Sequence, residues 1–244
     1  MQQKPALIFL ALVVAGAVAW FFTKADPQGT ALLTRELAAR GLAEELVRSQ
    51  PGSRVLVMSN PFTQRAGIAK AIADMEQAGL VGLRTGLGTK ATVGAVVFPE
   101  LRTEAQDNPA ALLSDVETTT PLSFLVAPDA FDKLIKQHGD CAVVVSLIGL
   151  PVELNRCEAW NASNISTSPK FALLLPDFRG IADAPVIINA VKSGRLLAFV
   201  LPKRGAPASD APVGKDWKAE FAKRFVLVTA ENVEQVAATS PELF

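Results

Sequence analysis

The sequence contains no tyrosine, one histidine and two cysteines, and its 24 basic residues equal its 24 acidic residues. A protein that binds nucleic acid by neutralising phosphates needs an excess of Lys and Arg. Because the net charge is zero, we do not expect nucleic acid to be a partner. Apolar residues make up 50% of the chain and charged residues 20%, which is typical of a globular protein and not of a disordered one.

The scarcity of histidine and cysteine also limits the chemistry of any site. A Ser-His-Asp or Cys-His centre would have to use His138, which lies just before Gly139 at the end of a predicted helix, where capping or packing is its ordinary role. No H-x-x-x-H or C-x-x-C pair occurs to bind zinc. The stretch "GLGTKATVGA" (86–95) lacks the spacing of a phosphate-binding loop and precedes a strand. We therefore predict no catalytic residue, no metal and no cofactor.

The two cysteines, Cys141 and Cys157, leave their own pairing open. An oxidising, extracytoplasmic compartment would permit a disulfide between them. Cys141, however, begins a predicted buried strand, where a cysteine is ordinarily a small apolar residue. The sequence does not decide between these alternatives.

An uncharged apolar run, "PALIFLALVVAGAVAWFF" (5–22), lies near the N-terminus. A helix that spans a bilayer needs about 17–25 such residues, and Lys4 on its N-terminal side favours a cytoplasmic N-terminus. We predict an uncleaved signal anchor. One alternative is a cleaved signal peptide, because "AVA" (17–19) has the small-x-small pattern of a cleavage site, and another is a buried helix. The first two interpretations place the rest of the chain outside the cytoplasm.

Helical and strand-like segments alternate after this run. A helix predicted at 30–49 either connects the membrane to the domain or packs against the domain's flank. Further helices are predicted at 64–78, at 129–138 and from Asp183 to Gly194. The predicted strands are continuous runs of Val, Ile, Leu and Phe, as in strands buried on both faces: 55–58, 93–98, 122–126, 142–148, 171–175, 196–201 and 225–228. This alternation predicts an α/β fold, Rossmann-like, with a largely parallel sheet and flanking helices.

Two stretches share one pattern, "PLSFLVAPDAF" (121–131) and "PKFALLLPDFR" (169–179). In each, a proline precedes a predicted strand and Pro-Asp follows it. The pattern has two explanations, an internal duplication and ordinary turn chemistry, since Pro-Asp is common in turns.

Polar side chains follow several of the predicted strands. Ligands of open parallel sheets bind at the carboxyl ends of the strands, although charges are also expected there on any solvated loop. A pocket needs several polar groups to converge with an aromatic residue, for which Phe62 is the candidate. The candidate ligand-binding residues at these ends are Asn60, Phe62, Arg65, Asp177 and Lys203.

Three stretches resemble the ribose-type periplasmic sugar-binding proteins. "VLVMSNPFTQRAGIAKAIADMEQAG" (55–79) is similar to the first strand, Asn-Pro-Phe loop and helix of that family. "INAVKSGRLLAFVLPK" (188–203) resembles its late helix, Ser-Gly turn and strand, and "FVLVTAENVEQV" (225–236) resembles its closing phrase. The three stretches occur in the family's order, and the resemblance therefore implies a periplasmic-binding-protein-like fold.

The resemblance also implies that Asn60 and Phe62 line a sugar site, since an aromatic ring covers a sugar face and an amide pairs with hydroxyl groups. The chain departs from the family at Thr63, where a second aromatic is common, and at Pro202, where the family usually has a Gln that reaches the sugar. These losses, and the expectation of a shortened domain, favour a protein partner over a sugar.

The sequence thus predicts a cytoplasmic tail (1–4), a transmembrane signal anchor (5–22), a linker with an amphipathic helix (23–53) and an extracytoplasmic α/β domain (54–244). We expect a non-catalytic binding or interaction domain in a cell-envelope assembly, anchored by a single pass in a bacterial inner membrane, with its soluble part periplasmic or extracellular. A small-molecule, sugar-like receptor or sensor of a transport system is the alternative. A hydrolase built around Asp129 or Asp177 is the third interpretation.

The anchor can be tested by N-terminal sequencing of the chain purified from membranes. An uncleaved anchor gives a sequence that begins in the first residues of the chain, because no peptidase removes residues 5–22. A sequence that begins at Trp20 would show cleavage after "AVA" and refute permanent attachment.

Overall fold

The computed structural model describes residues 27–107, 112–113, 118 and 120–244. The predicted tail (1–4) and anchor (5–22) lie outside the described residues, and both stay predictions. Within the described ranges, no helix combines the length and the apolar character needed to cross a bilayer.

A six-stranded sheet forms the centre of the structure, with the strand order β2-β1-β3-β4-β5-β6. The first five strands are parallel to one another, and β6 pairs with β5 in the antiparallel direction. The strands are β1 (Arg54–Met58), β2 (Thr92–Val97), β3 (Val143–Ser146), β4 (Lys170–Leu174), β5 (Leu196–Pro202) and β6 (Phe225–Val228). The predicted mixed α/β class with a mostly parallel sheet and flanking helices is confirmed.

Helices connect most of these strands. The α-helices are α1 (Pro27–Ser49), α2 (Lys70–Leu87), α3 (Thr103–Asp107), α4 (Leu122–Leu125), α5 (Ala130–Gln137), α6 (Glu158–Asn161), α7 (Ala184–Lys192), α8 (Trp217–Arg224) and α9 (Val233–Thr239). Short 3₁₀ turns cover Pro61–Gln64, Leu154–Arg156 and Pro241–Leu243.

One predicted strand is wrong. Residues 122–126 do not form a strand, because Leu122–Leu125 is a helical turn, and Val126 makes only an isolated bridge to Leu101. The apolar run is only five residues long, and such a run is compatible with a strand or with a buried helical turn. The helix predicted at 64–78 also begins later, at Lys70, because a 3₁₀ turn precedes it, and it continues to Leu87.

The two faces of the sheet are covered by different helices. Alternate residues of each strand point to opposite faces, and two separate apolar clusters result. Under α1 and α2 lie Val55, Val57, Val143, Val145, Ala172, Leu174, Ala198 and Val200. Under α5, α6, α7 and α9 lie Leu56, Met58, Val144, Phe171, Leu173, Phe199 and Leu201. The molecule therefore has three layers, and α1 packs against the sheet, which is the second of its two predicted roles.

Helices α1 and α2 approach each other closely because small residues meet where they cross. A Cβ atom built on Gly82 would lie 2.1 Å from the backbone oxygen of Glu36, and one on Gly86 would lie 2.5 Å from that of Arg40. Ala39 and Ala43 occupy the facing positions of α1 and are fully buried. The spacing of the two helices thus depends on the absence of a side chain at Gly82 and at Gly86 of α2.

Both cysteines are buried thiols without a disulfide. The Sγ of Cys157 lies 3.5 Å from a carboxylate oxygen of Asp132, and burial raises the pKa of this thiol to about 12. The same carboxylate accepts the N–H groups of Glu158 and Ala159 at 2.8 and 2.9 Å. Asp132 therefore caps the start of α6 from the neighbouring helix, and Cys157 is a packed side chain at this contact.

We expect Gly82→Ala to lower the free energy of unfolding by about 1–3 kcal/mol, because its Cβ would collide with the α1 backbone. The sign of this change in the free energy of unfolding is informative, since Gly→Ala inside a helix normally stabilises a protein by about 1 kcal/mol. Urea unfolding followed by circular dichroism measures the change.

Gly79→Ala is the matched control on the same helix, because the atoms nearest its new Cβ belong to side chains, Nε of Arg35 at 3.3 Å and Cδ1 of Leu147 at 3.5 Å. It should lose less stability than Gly82→Ala. Equal stability of the Gly82→Ala variant and the wild type would contradict the close helix contact.

Candidate functional site

The strand order creates a crevice between β1 and β3. The next strand in the chain, β2, lies on one side of β1. The later parallel strands, β3, β4 and β5, lie on the other side of β1. In open α/β sheets with the order 2-1-3-4-5, ligands bind outside the carboxyl ends of the strands at this switch point. The fold thus indicates where to look for a site before any side chain is considered.

A cavity of about 600 Å³ lies at this switch point. We call it the switch-point groove; its volume is within the range of small-molecule sites, roughly 300–1,000 Å³. Three of its lining residues are polar and the others are apolar, and Ile72 is 41% exposed. The groove is lined by Arg35, Asn60, Phe62, Ile68, Ala71, Ile72, Met75, Thr120, Pro121, Leu122, Leu125, Leu147 and Ile148.

A second cavity of about 320 Å³ lies next to the switch-point groove and shares Arg35 and Met75 with it. Its wall includes Pro202, at the end of β5, and Leu175, directly after β4. Leu175 has a φ of 50°, which is an unfavourable conformation for a residue with a Cβ. We call this the Pro202 cavity. The two cavities together follow the carboxyl edge of the sheet.

A buried carboxylate, Glu76, stands behind the switch-point groove. Glu76 is 6% exposed, and its Oε1 accepts the hydroxyl of Ser59 at 2.5 Å and the N–H of Asn60 at 2.8 Å. Its Oε2 accepts Nη2 of Arg35 at 3.3 Å. Because a buried charge is tolerated only when it is paired and hydrogen-bonded, these contacts explain how Glu76 fits beside the core.

Arg35 reaches the groove from α1. Its Nη2 donates to Glu76 and to the backbone oxygen of Leu147, both at 3.3 Å. Burial lowers the pKa of the guanidinium, and Glu76 opposes this change. Within the described residues, Nε of Arg35 and the hydroxyl of Thr120 have no hydrogen-bond partner. The groove therefore has an apolar wall with incompletely paired polar groups.

The Asn60-Pro61-Phe62 turn has a structural role as well as a place in the groove. Asn60 caps the 3₁₀ turn, since its Oδ1 accepts the N–H of Phe62 at 2.9 Å and its backbone oxygen accepts the hydroxyl of Thr63 at 2.7 Å. Phe62 is half-buried and lines the groove. The guanidinium of Arg65 lies 4.5 Å from the centroid of the Phe62 ring. Both oxygens of Asn60 thus maintain the turn.

The five predicted ligand-binding residues do not all converge. Asn60 and Phe62 line the switch-point groove, and Arg65 contacts Phe62 from outside. Asp177 is buried and accepts Nε and Nη2 of Arg179 at 2.9 and 2.7 Å, so its carboxylate is engaged in an ion pair. Lys203 donates to the backbone oxygen of Ala222 and is not among the lining residues of either cavity. Their role as ligand contacts stays a prediction.

The sequence interpretation missed Arg35, Glu76 and Thr120. The sequence position of Glu76 gave one signal, because this residue directly follows Met75 in the apolar stripe of α2. A charged side chain at such a position needs a buried partner. No comparable signal marks Arg35, since its partner is far away in the chain.

The described residues include no cluster of His, Cys, Asp and Glu suited to a metal ion. His138 ends α5, where its backbone N–H donates to Leu134 and Ile135. Asp129 lines a separate polar cavity of about 400 Å³ with Lys133, Lys136 and Arg156.

The neighbours of this chain among solved structures are periplasmic solute-binding proteins of sugar ABC transporters. It has 11% identity and a TM-score of 0.46 to such a protein from Actinobacillus succinogenes with bound D-allose, over 82% of this chain and 60% of that one. It has 15% identity and a TM-score of 0.45 to a carbohydrate-transporter binding protein from Agrobacterium radiobacter in complex with D-arabinose, over 90% and 63%. An arabinose-binding protein from Geobacillus stearothermophilus gives 13% identity and a TM-score of 0.45, over 82% and 62%.

The class of proteins that the sequence resembles is thus also the class of these structural neighbours. The chain spans less than two thirds of the length of each of the three. No protein-family model matches the chain, and no curated protein matches it.

We expect Glu76→Leu to lower the free energy of unfolding by about 3–5 kcal/mol, because it leaves Arg35 buried without its counter-charge. It also removes the acceptor of the Ser59 hydroxyl and the Asn60 N–H. Asp74→Asn is the matched control on the same helix, since Asp74 pairs with the exposed Lys70 and should change stability by less than about 1 kcal/mol. A Glu76→Leu variant that unfolds in urea like the control would refute the network.

Proposed function

We propose that this chain is a non-catalytic binding module, anchored in a bacterial inner membrane by residues 5–22, that binds a mainly apolar occupant in the switch-point groove outside the cytoplasm. The observation that carries the proposal is the groove itself, about 600 Å³ at the topological switch point with an apolar lining. An exposed apolar wall at such a place is typical of a binding surface. The module serves a cell-envelope assembly.

The chemistry of the groove supports binding without catalysis. Its polar side chains are Arg35, Asn60 and Thr120, and none of them is a general base beside a nucleophile. Asn60 and Arg35 are also partly engaged in contacts that maintain the fold. The groove therefore provides surface and hydrogen-bond donors, which position an occupant but do not transform it.

A sugar-like small molecule is the second candidate occupant. The observation in its favour is that Asn60 and Phe62, the two residues that the sequence resemblance implies for a sugar site, both line the groove. Against it, a sugar presents hydroxyl groups all round and needs many polar partners, and the groove has ten apolar lining residues for three polar ones. Pro202 gives no side-chain donor at the end of β5.

Photo-crosslinking in the full chain tests the site. We expect a benzoyl-phenylalanine at position 72 to form a discrete adduct in the native membrane, because Ile72 forms an exposed wall of the groove. The same group at position 81 is the matched control, since Val81 is a 36% exposed apolar residue of the same helix that does not line the groove. Mass spectrometry of the adduct measures the outcome.

Equal crosslinking at positions 72 and 81 would contradict the groove as the binding site. A saturable rise in thermal stability on addition of D-arabinose or D-allose, lost in Phe62→Ala, would favour the sugar receptor instead.

A further inference from the structure

The polar end of the switch-point groove is a single, partly engaged guanidinium. Arg has five N–H donors, and the hydrogen bonds that Arg35 makes with described residues both come from Nη2. Nε has no partner among those residues. The side chain lines the switch-point groove and the Pro202 cavity, where the two cavities meet. Because Nε is enclosed, the donors open to a ligand are the N–H groups of Nη1, which makes no hydrogen bond with a described residue and is not among the enclosed atoms.

The rest of the wall suits an unbranched apolar chain. Ile72 and Met75 line the groove from α2, Ile68 lines it from just before α2, and Leu122 and Leu125 line it from α4. Phe62 closes the wall next to Asn60. Apart from Arg35, the groove contains no charged lining residue. A ligand with one acidic end and an otherwise apolar body matches this distribution.

Arg35 lies close in the chain to the predicted anchor. Helix α1 begins at Pro27, a few residues after the predicted anchor, and Arg35 lies about 12 Å further along the helix axis. Ala31 and Thr34, in the same first turns, line the Pro202 cavity. The carboxyl edge of the sheet is thus beside the end of α1 that follows the anchor.

We propose that the switch-point groove binds a long-chain carboxylate drawn from the adjacent membrane, with its carboxylate on the guanidinium of Arg35 and its hydrocarbon chain along Phe62, Ile72 and Leu125. This inference rests on the proposed binding function and names the class of its ligand. Hydrogen bonds between a guanidinium and a carboxylate are charge-assisted and stronger than neutral ones. Glu76 contacts the same guanidinium through Nη2, so its negative charge opposes the carboxylate of the ligand.

The test uses the full chain in lipid nanodiscs and two probes, a palmitic acid and a hexadecanol that carry the same photoreactive and clickable groups. After irradiation, peptide mapping separates labelling of the groove segments (61–75 and 121–125) from labelling of residues 5–22, which serves as an internal reference. We expect the acid to label the groove segments of the wild type at a lower mole fraction than the alcohol does.

Two variants separate the contributions of the two charges at this site. Glu76→Gln keeps an acceptor for Ser59 and Asn60 but frees the guanidinium, so half-maximal labelling by the acid should need roughly threefold to tenfold less probe. The double variant Arg35→Met/Glu76→Gln removes both charges together, which avoids an unpaired buried charge. It should need at least about tenfold more acid than Glu76→Gln does. Labelling by the alcohol should be alike in both variants.

The outcomes separate this inference from the proposed function. If acid and alcohol label the groove equally in every variant, apolar binding stands and the carboxylate assignment is overturned. If neither probe labels the groove but the crosslinker at position 72 captures a protein, the ligand class is wrong and the binding function stands. If neither probe labels the groove and position 72 gives no adduct, both proposals fail. Circular dichroism of each variant confirms that the comparison is between folded proteins.

Discussion

The ion pair between Arg35 and Glu76 connects four parts of the structure. Glu76 belongs to α2 and accepts from Ser59 and Asn60, directly after β1. Arg35 belongs to α1 and also donates to Leu147, directly after β3. Because a buried charge that loses its partner is strongly destabilising, folding fixes these segments relative to one another. The inner wall of the switch-point groove follows from this pair.

The pair in turn depends on how closely the two helices approach. Gly82 leaves room for the backbone oxygen of Glu36, the neighbour of Arg35 in the chain, and Gly86 does the same one turn later. A larger residue at either position would separate the helices and lengthen the 3.3 Å contact between Arg35 and Glu76. The two glycines of α2 thus determine where α1 places Arg35. The close packing of the two helices in this way positions the charged group of the groove.

The sequence was sufficient for the inner strands β1, β3, β4 and β5 because they are buried on both faces and therefore appear as unbroken apolar runs. It was insufficient at 122–126, where a short run of the same type is a helical turn. The comparison with 169–179 explains why. Both stretches have a proline before the run and Pro-Asp after it, yet only 170–174 pairs with neighbouring strands. The two local patterns are alike, and pairing with neighbouring strands is what distinguishes the second stretch from the first.

The sequence predicted only the part of the candidate site that directly follows a strand. Asn60 and Phe62 follow β1 directly, and a loop after a parallel strand can be located from the strand alone. Arg35 and Glu76 lie within helices, and their contact joins residues 41 positions apart, which no periodicity reveals. The same contact gives the groove its direction. Arg35 lies in the early turns of α1 and lines both the switch-point groove and the Pro202 cavity, so its guanidinium marks the end of the groove at which the two cavities meet.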